Sequence, residues 1–357
     1  MESWRLKSGY EIVIQLFSLE IFRNGGAPIN TNYYYKGGRV MKKLIAILTA
    51  TLLICVGTAF GEPITKLKAN SDIRIAILAH FSHVPAWVPV QKGIDDAAKS
   101  LGIKVEVSGP SDFSVAKQVT MFQGKIAAGV DAIASTMPDS QAFNNVTQEA
   151  LILGIPVMSV NADAPECCRL AYVGQSNFMA GYKVGKHLTD LIKGGKVMIG
   201  IHSLGAKNLQ DRIDGIKKAL EEGGDFESKV VEVTTNLVRA QTLVESWYQA
   251  NKDAVAMLGV EEVSGIAIKK TIERNELGDK VIGASFDLVK DVVQGIKDGT
   301  MTYTVDQQLY MQGYMTVQAL YLKVRYDISP ADIDTGATII DKSNIESALF
   351  LAEKSYR

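Results

Sequence analysis

Residues Asp72–Gly102 read DIRIAILAHFSHVPAWVPVQKGIDDAAKSLG, and this stretch decides the fold. Ile73, Ile75, Ala76, Ile77 and Leu78 form a near-continuous apolar run, as expected for a parallel strand covered on both faces. Val90, Ile94, Ala97, Ala98 and Leu101 then recur at helical spacing. Gly102 ends that helix, and Val105 and Val107 begin another strand. The result is one right-handed βαβ unit. The loop from His80 to Trp87 lies outside the carboxyl end of the first strand, where open α/β sheets bind ligands. It carries Phe81, His83 and Trp87, more chemistry than a connector needs. Taken alone, Trp87 reads as a cap on the core and His83 as solvated; their company in one loop shifts the reading toward binding.

The unit repeats along the chain. Val115, Val119, Phe122 and Ile126 mark a second helix face, Asp131–Ala134 a strand, and Phe143, Val146 and Ala150 a third helix. Gly154–Val160 is a turn and a strand, with Asn161-Ala162-Asp163 just past its end. Leu170–Gly174 reads as an extended first crossing between lobes. Strands over 197–201, 230–233, 254–258, 281–284 and 301–305 alternate with helices in a second half, and a long helix from Gln308 returns to the first. This alternation predicts an α/β fold of doubly wound parallel sheets. The length, 357 residues, predicts two lobes.

Hydrophobic residues make up 47% and charged residues 22%, ordinary for a globular protein. Lys plus Arg total 38 against 39 for Asp plus Glu, with no block of one sign, so nucleic acid is not an expected partner. Met41-Lys42-Lys43, the apolar run Leu44–Val56 and the small residues around Gly61 read as a secretory signal peptide over 41–61. The run is shorter than the ~20 residues of a membrane span, and Ile54 before Cys55 disfavours a lipoprotein signal. Residues 1–40 read as an upstream extension: Lys36-Gly37-Gly38 is encodable as a ribosome-binding sequence just before Met41. Seven basic and three acidic groups fall in 1–61, leaving 31 basic against 36 acidic and an acidic, periplasmic, monomeric product as the expectation. Its cysteines, Cys167 and Cys168, are adjacent. Neighbouring Cα atoms stand ~3.8 Å apart, whereas a disulfide wants roughly 4.4–6.8 Å, so two small buried free thiols are expected.

No glycine fingerprint follows the first strand and no phosphate loop or G-x-S-x-G is present, so no cofactor and no enzyme of those types is expected. His80 and His83 lack a Cys or carboxylate neighbour to complete a zinc set, so no metal is expected. What stands out is a set of polar groups at predicted strand ends: His83, Asn161, Asp163, Asn208, Arg212, Glu261, Asp287 and Gln307, with Trp87 beside them and Phe81 and Asn236 added as candidate contacts. Each alone reads as a turn or helix cap. Together, amides, carboxylates and one guanidinium with an aromatic plate suit a hydroxyl-rich ligand. No pair demands a shifted pKa, which favours binding over catalysis.

The sequence resembles type I periplasmic sugar-binding proteins of the ribose/galactose/arabinose kind over residues 71–350. The resemblance rests on Val84-Pro85-Ala86-Trp87 with Gly93, Gly154–Val157 leading to Asn161-Ala162-Asp163, Tyr172–Asn177 with Ala180-Gly181, Ala284–Asp287, and Asp306-Gln307-Gln308 with Gln312-Gly313-Tyr314. It implies two Rossmann-like lobes with three crossovers, closing on a monosaccharide. On that basis the first lobe is 70–174 plus 308–328 and the second 175–307 plus 329–357. Resemblance implies stacking for Trp87, the place of a hydroxyl-gripping carboxylate for Asn161, and the second-lobe arginine for Arg212, with Asn208 or Gln210 in contact. It likewise implies the second-lobe aspartate for Asp287 and the hinge glutamine for Gln307. This chain departs from the pattern at Asn161, where Asp is usual, at Ala162, where ribose binders carry Arg, and at Val260-Glu261, where Asn is common. The implied partners are a sugar or polyol and an ABC importer permease, or alternatively a membrane sensor kinase or chemoreceptor. A Lac-repressor-type regulator core is disfavoured by the signal peptide and the missing helix-turn-helix.

Overall fold

The computed structural model describes residues 67–80 and 87–357. The expected signal peptide and upstream extension, together with Phe81 and His83, lie outside the described residues. Two six-stranded sheets organise the chain. The first contains β1 (Arg74–Leu78), β2 (Lys104–Ser108), β3 (Ala132–Ser135), β4 (Val157–Val160), β5 (Tyr172–Gly174) and a two-residue strand, Ile333–Asp334. All its pairings are parallel, with β1 between β2 and β3. Period-two alternation divides β1 between two cores. Ile75 and Ile77 pack with α1 (Trp87–Leu101) and the long helix Leu309–Tyr326, while Ala76 and Leu78 pack with α2 (Val115–Ala127) and α3 (Ser140–Ile152). A strand buried on both faces explains the unbroken apolar run. The edge strand β2, by contrast, is buried only in part.

The second sheet is built the same way from β6 (Gly194–Ile201), β7 (Asp225–Glu232), β8 (Ala254–Gly259), β9 (Ile282–Phe286) and β10 (Tyr303–Asp306), all parallel. A last strand, Thr338–Asp341, joins β10 antiparallel. Val197, Ile199 and Ile201 face α4 (Asn177–Leu191) and α5 (Lys207–Gly223), and Met198 faces the opposite core.

The chain passes between the sheets three times, at 175–176, 307–308 and 335–337. The third passage corrects the expected lobe boundary. Residues 329–357 do not belong wholly to the second lobe, because Ile333 and Asp334 pair with Val173 and Gly174 of the first sheet. A two-residue strand carries no periodicity, so its partner cannot be read locally.

Two glycines explain how the first lobe holds α1. A Cβ on Gly93 would sit 2.1 Å from the Tyr310 carbonyl oxygen, and one on Gly313 2.1 Å from that of Val90. The two helices therefore touch backbone to backbone, which fixes the end of α1 that carries Trp87. Cys167 is buried, its Sγ donating to the Ser140 carbonyl (2.8 Å). Cys168 is exposed, against the expected burial, because it sits in a left-handed turn (φ 57°) that rotates it out of the core.

Candidate ligand-binding cleft

Parallel strands deliver their carboxyl ends to one edge of each sheet, and the two edges face a shared cleft. His80 follows β1 and Asn161 follows β4 on the first-lobe side. His202 follows β6, Glu261 follows β8, Asp287 follows β9 and Gln307 follows β10 on the other. The cavity volume is about 80 Å³. A single buried water needs roughly 10–15 Å³ on that measure, so the room suits a small molecule.

Arg212 projects from α5 and is 2% exposed. Its Nε donates to Asn177 Oδ1 (2.9 Å), one terminal nitrogen to the Val260 carbonyl (2.8 Å) and the other to Gln307 Oε1 (3.3 Å). Its guanidinium lies 4.2 Å from the Phe286 ring centroid. Burial lowers the Arg212 pKa, and the charge of Asp287 pushes it back up. These contacts leave N–H groups of the five-donor fork for a ligand.

Asp287 is 5% exposed and sits in the left-handed region (φ 73°), tolerated better by Asp and Asn than by most residues. Gln307 Nε2 donates to its Oδ1. Burial raises its pKa, while the Arg212 charge and the Gln307 bond pull it down. Asn161 also has positive φ (65°), and its Nδ2 donates to Gln307 Oε1 (3.2 Å) and Gln312 Oε1 (2.9 Å). Gln307 thus joins side chains of both lobes. Glu261 lines the cleft too, but its carboxylate caps the following helix, accepting from the backbone N–H of Val263 (2.6 Å) and Ser264 (3.0 Å). Its cap role is local and needs no ligand.

An aromatic row crosses the cleft. Trp87 meets His80 edge-on at 6.4 Å, His80 meets Phe113 at 5.9 Å, and Phe113 meets His202 of the other lobe at 5.8 Å. His80 is half-buried as a residue, with its ring Nδ1 enclosed by protein. Burial, with His202 nearby, lowers its pKa to about 3 and keeps it neutral. The Trp87 indole N–H is buried without a protein acceptor among the described residues. The lobes also meet at the rim, where the Lys207 N–H donates to the Pro138 carbonyl (3.3 Å).

Seven of the residues singled out from sequence therefore line one cavity: Trp87, Asn161, Asn208, Arg212, Glu261, Asp287 and Gln307. Two do not. Asp163 is gripped by Arg169 through two bonds (2.9 and 2.7 Å), and Arg169 also holds Asp332. Asn236 caps a helix, Leu237–Ala250, accepting from the Arg239 N–H (3.0 Å). Of the pair Asn208 and Gln210, the second turns outward to Asp214 (2.9 Å). Sequence reasoning set His80 aside as a metal ligand and missed Phe113, Pro138, His202, Glu262, Val263 and Leu309. The strand-end rule could have found His202. Phe113 lies in a loop and reaches the cleft only through tertiary packing.

The periplasmic binding protein domain model matches residues 75–326. The xylose/arabinose-binding protein XylF of Sulfolobus acidocaldarius is 30% identical over 294 residues, 77% of this chain and 73% of that protein. The ribose import binding protein RbsB of Bacillus subtilis is 25% identical over 294 residues, 78% of this chain and 92% of that protein. A solute-binding protein of an ABC transporter from Burkholderia graminis, solved with D-arabinose, superposes with a TM-score of 0.76 at 28% identity, covering 79% of this chain and 99% of that one. With two lobes, three crossovers and a family model that spans most of its length, this chain belongs to the periplasmic binding protein family, in its type I form.

Proposed function

We propose that the protein captures a neutral monosaccharide or related polyol between its lobes and delivers it to an ABC importer. The observation that carries this reading is the convergence of Asn161 from one lobe with Arg212 and Asp287 from the other on the Gln307 amide, inside a cavity of small-molecule size. A hydroxyl both donates and accepts. A buried guanidinium, carboxylate and amides can pair it fully, as burial of a polar ligand requires. Arg212 and Asp287 roughly balance in charge, which suits an uncharged ligand. Trp87 supplies a plate for an apolar sugar face and an indole donor at its edge. The relatives that carry sugars in their names, and the D-arabinose complex, support the same class.

Closure follows from the arrangement. Neither half-site buries a small polar ligand alone, and three crossovers can act as hinges by absorbing small backbone rotations. Ligand then shifts an open–closed equilibrium, and the permease reads the closed surface. Function in this place requires export, so the reading includes cleavage of residues 41–61 as a signal peptide and translation from Met41, yielding a monomeric periplasmic receptor. The test is a thermal-shift panel of D-arabinose, D-xylose, D-ribose, D-galactose and myo-inositol. A binder raises the midpoint because it stabilises by RT ln(1 + [L]/Kd). A flat response across the panel contradicts the reading.

A further inference from the structure

We infer that Gln312, which does not line the cleft, is a positioning residue that couples ligand contact at Asn161 to the hinge. Gln312 sits on the first-lobe helix Leu309–Tyr326 and is fully buried. Its Oε1 accepts from the Asn161 side chain (2.9 Å). Its Nε2 reaches the Gln307 carbonyl (3.1 Å) in the second crossover and the Thr335 hydroxyl (3.2 Å) in the third. The Thr335 hydroxyl in turn donates to the same Gln307 carbonyl (2.9 Å). One amide therefore ties a cleft side chain to two crossovers that lie far apart in sequence.

This arrangement has a mechanical consequence. Lobe rotation changes backbone dihedrals at the crossovers. Groups that bridge two crossovers oppose their independent rotation, so the second and third must turn together. Because the other end of the same amide holds Asn161, a ligand hydroxyl that fixes Asn161 also fixes the hinge. A buried amide with all partners satisfied rigidifies its surroundings, and its loss strands those partners. Leu309, Val317 and Leu320 on the same helix are buried and apolar, and the buried Thr316 one turn on spends its hydroxyl on the Gln312 backbone carbonyl (2.7 Å), so the Gln312 side chain is left to its crossover partners.

The ligand half of this inference rests on the sugar-capture reading, and the hinge half does not, so the test has two arms. Amide hydrogen exchange is measured without ligand on the wild type and Gln312→Met, a variant of similar volume. Exchange should accelerate tenfold or more at 307–308 and 335–336, while β1 and β6 stay within twofold. In the second arm D-arabinose affinity by calorimetry should fall at least tenfold. Unchanged crossover exchange overturns the inference, as does equal acceleration through both lobe cores, which marks a core polar group only. Faster crossover exchange with unaltered affinity overturns the coupling. If the wild type does not bind D-arabinose, that sugar fails for the cleft and the exchange arm still decides the hinge. Thr335→Val and Thr335→Ser repeat the test independently of Gln312→Met: only the valine variant should loosen the crossovers, and loosening by both or neither overturns the bridge.

Discussion

Replacing Asp287 with Asn should separate ligand binding from stability. Asp287 is almost fully buried, and burial raises its pKa despite the Arg212 charge and the Gln307 bond. The folded state therefore holds the ionised carboxylate less comfortably than the unfolded chain does. The linkage sign follows. A folded pKa above the unfolded value, about 3.9, means that the native state binds the proton more readily between those two values, so stability from this group falls as pH rises through that window. Asn matches the protonated acid in shape and still accepts from Gln307 through its oxygen. Asp287→Asn should thus unfold later than the wild type at pH 7.5 without ligand, and the gap should narrow as the pH is lowered to about 4, close to the unfolded value. Binding should move the other way. A hydrogen bond to a charged group is worth ~1.5–3 kcal/mol, so losing the charge should weaken sugar binding by up to roughly 10- to 150-fold. Thermal unfolding at the two pH values, with calorimetry against D-arabinose, reads both effects. Earlier unfolding of Asp287→Asn at pH 7.5 with intact affinity would refute the reasoning and leave Asp287 a structural turn residue.

Trp87→Ala should weaken sugar binding by about 2 kcal/mol or more, as for a buried aromatic anchor, while circular dichroism stays native. Unchanged calorimetric affinity returns Trp87 to a core-capping role. Gly313→Ala forces a methyl to within 2.1 Å of the Val90 carbonyl, and the overpacking should cost about 1–3 kcal/mol in chemical denaturation; no loss means the helices can separate. Asp163→Asn breaks the ion pair with Arg169 and should lower the unfolding midpoint while leaving sugar affinity within twofold. Intact-mass measurement of the secreted protein should give a chain starting just past Gly61, and a start near residue 1 contradicts the signal-peptide reading.

Much of the fold was legible because its cause is local. The run Ile75–Leu78 is apolar on both strand faces, and both faces are in fact covered. The strand-end rule picked out residues that line the cavity for the same reason: Asn161, Asp287 and Gln307 follow a strand directly, and Glu261 comes one residue later. It failed at Asp163, three residues past β4, because Arg169 captures the carboxylate with help from Asp332, far along the chain. It failed at Asn236 because a helix start needs a cap whatever lies nearby. Phe113 and His202 meet only when the lobes are assembled, and no spacing in the sequence encodes that meeting. Gln312 was visible as part of a family-like motif, but its reach to two crossovers depends on where Thr335 arrives.

The central claim is capture of a sugar between two moving lobes, and small-angle scattering tests it most directly. Curves are recorded without ligand and with saturating amounts of whichever panel sugar gives the largest thermal shift. The account predicts a smaller radius of gyration with sugar, because closure brings the Asn161 and Trp87 side of the cleft onto the Arg212 and Asp287 side. Identical curves at saturation would contradict it and leave a rigid, preformed pocket in its place.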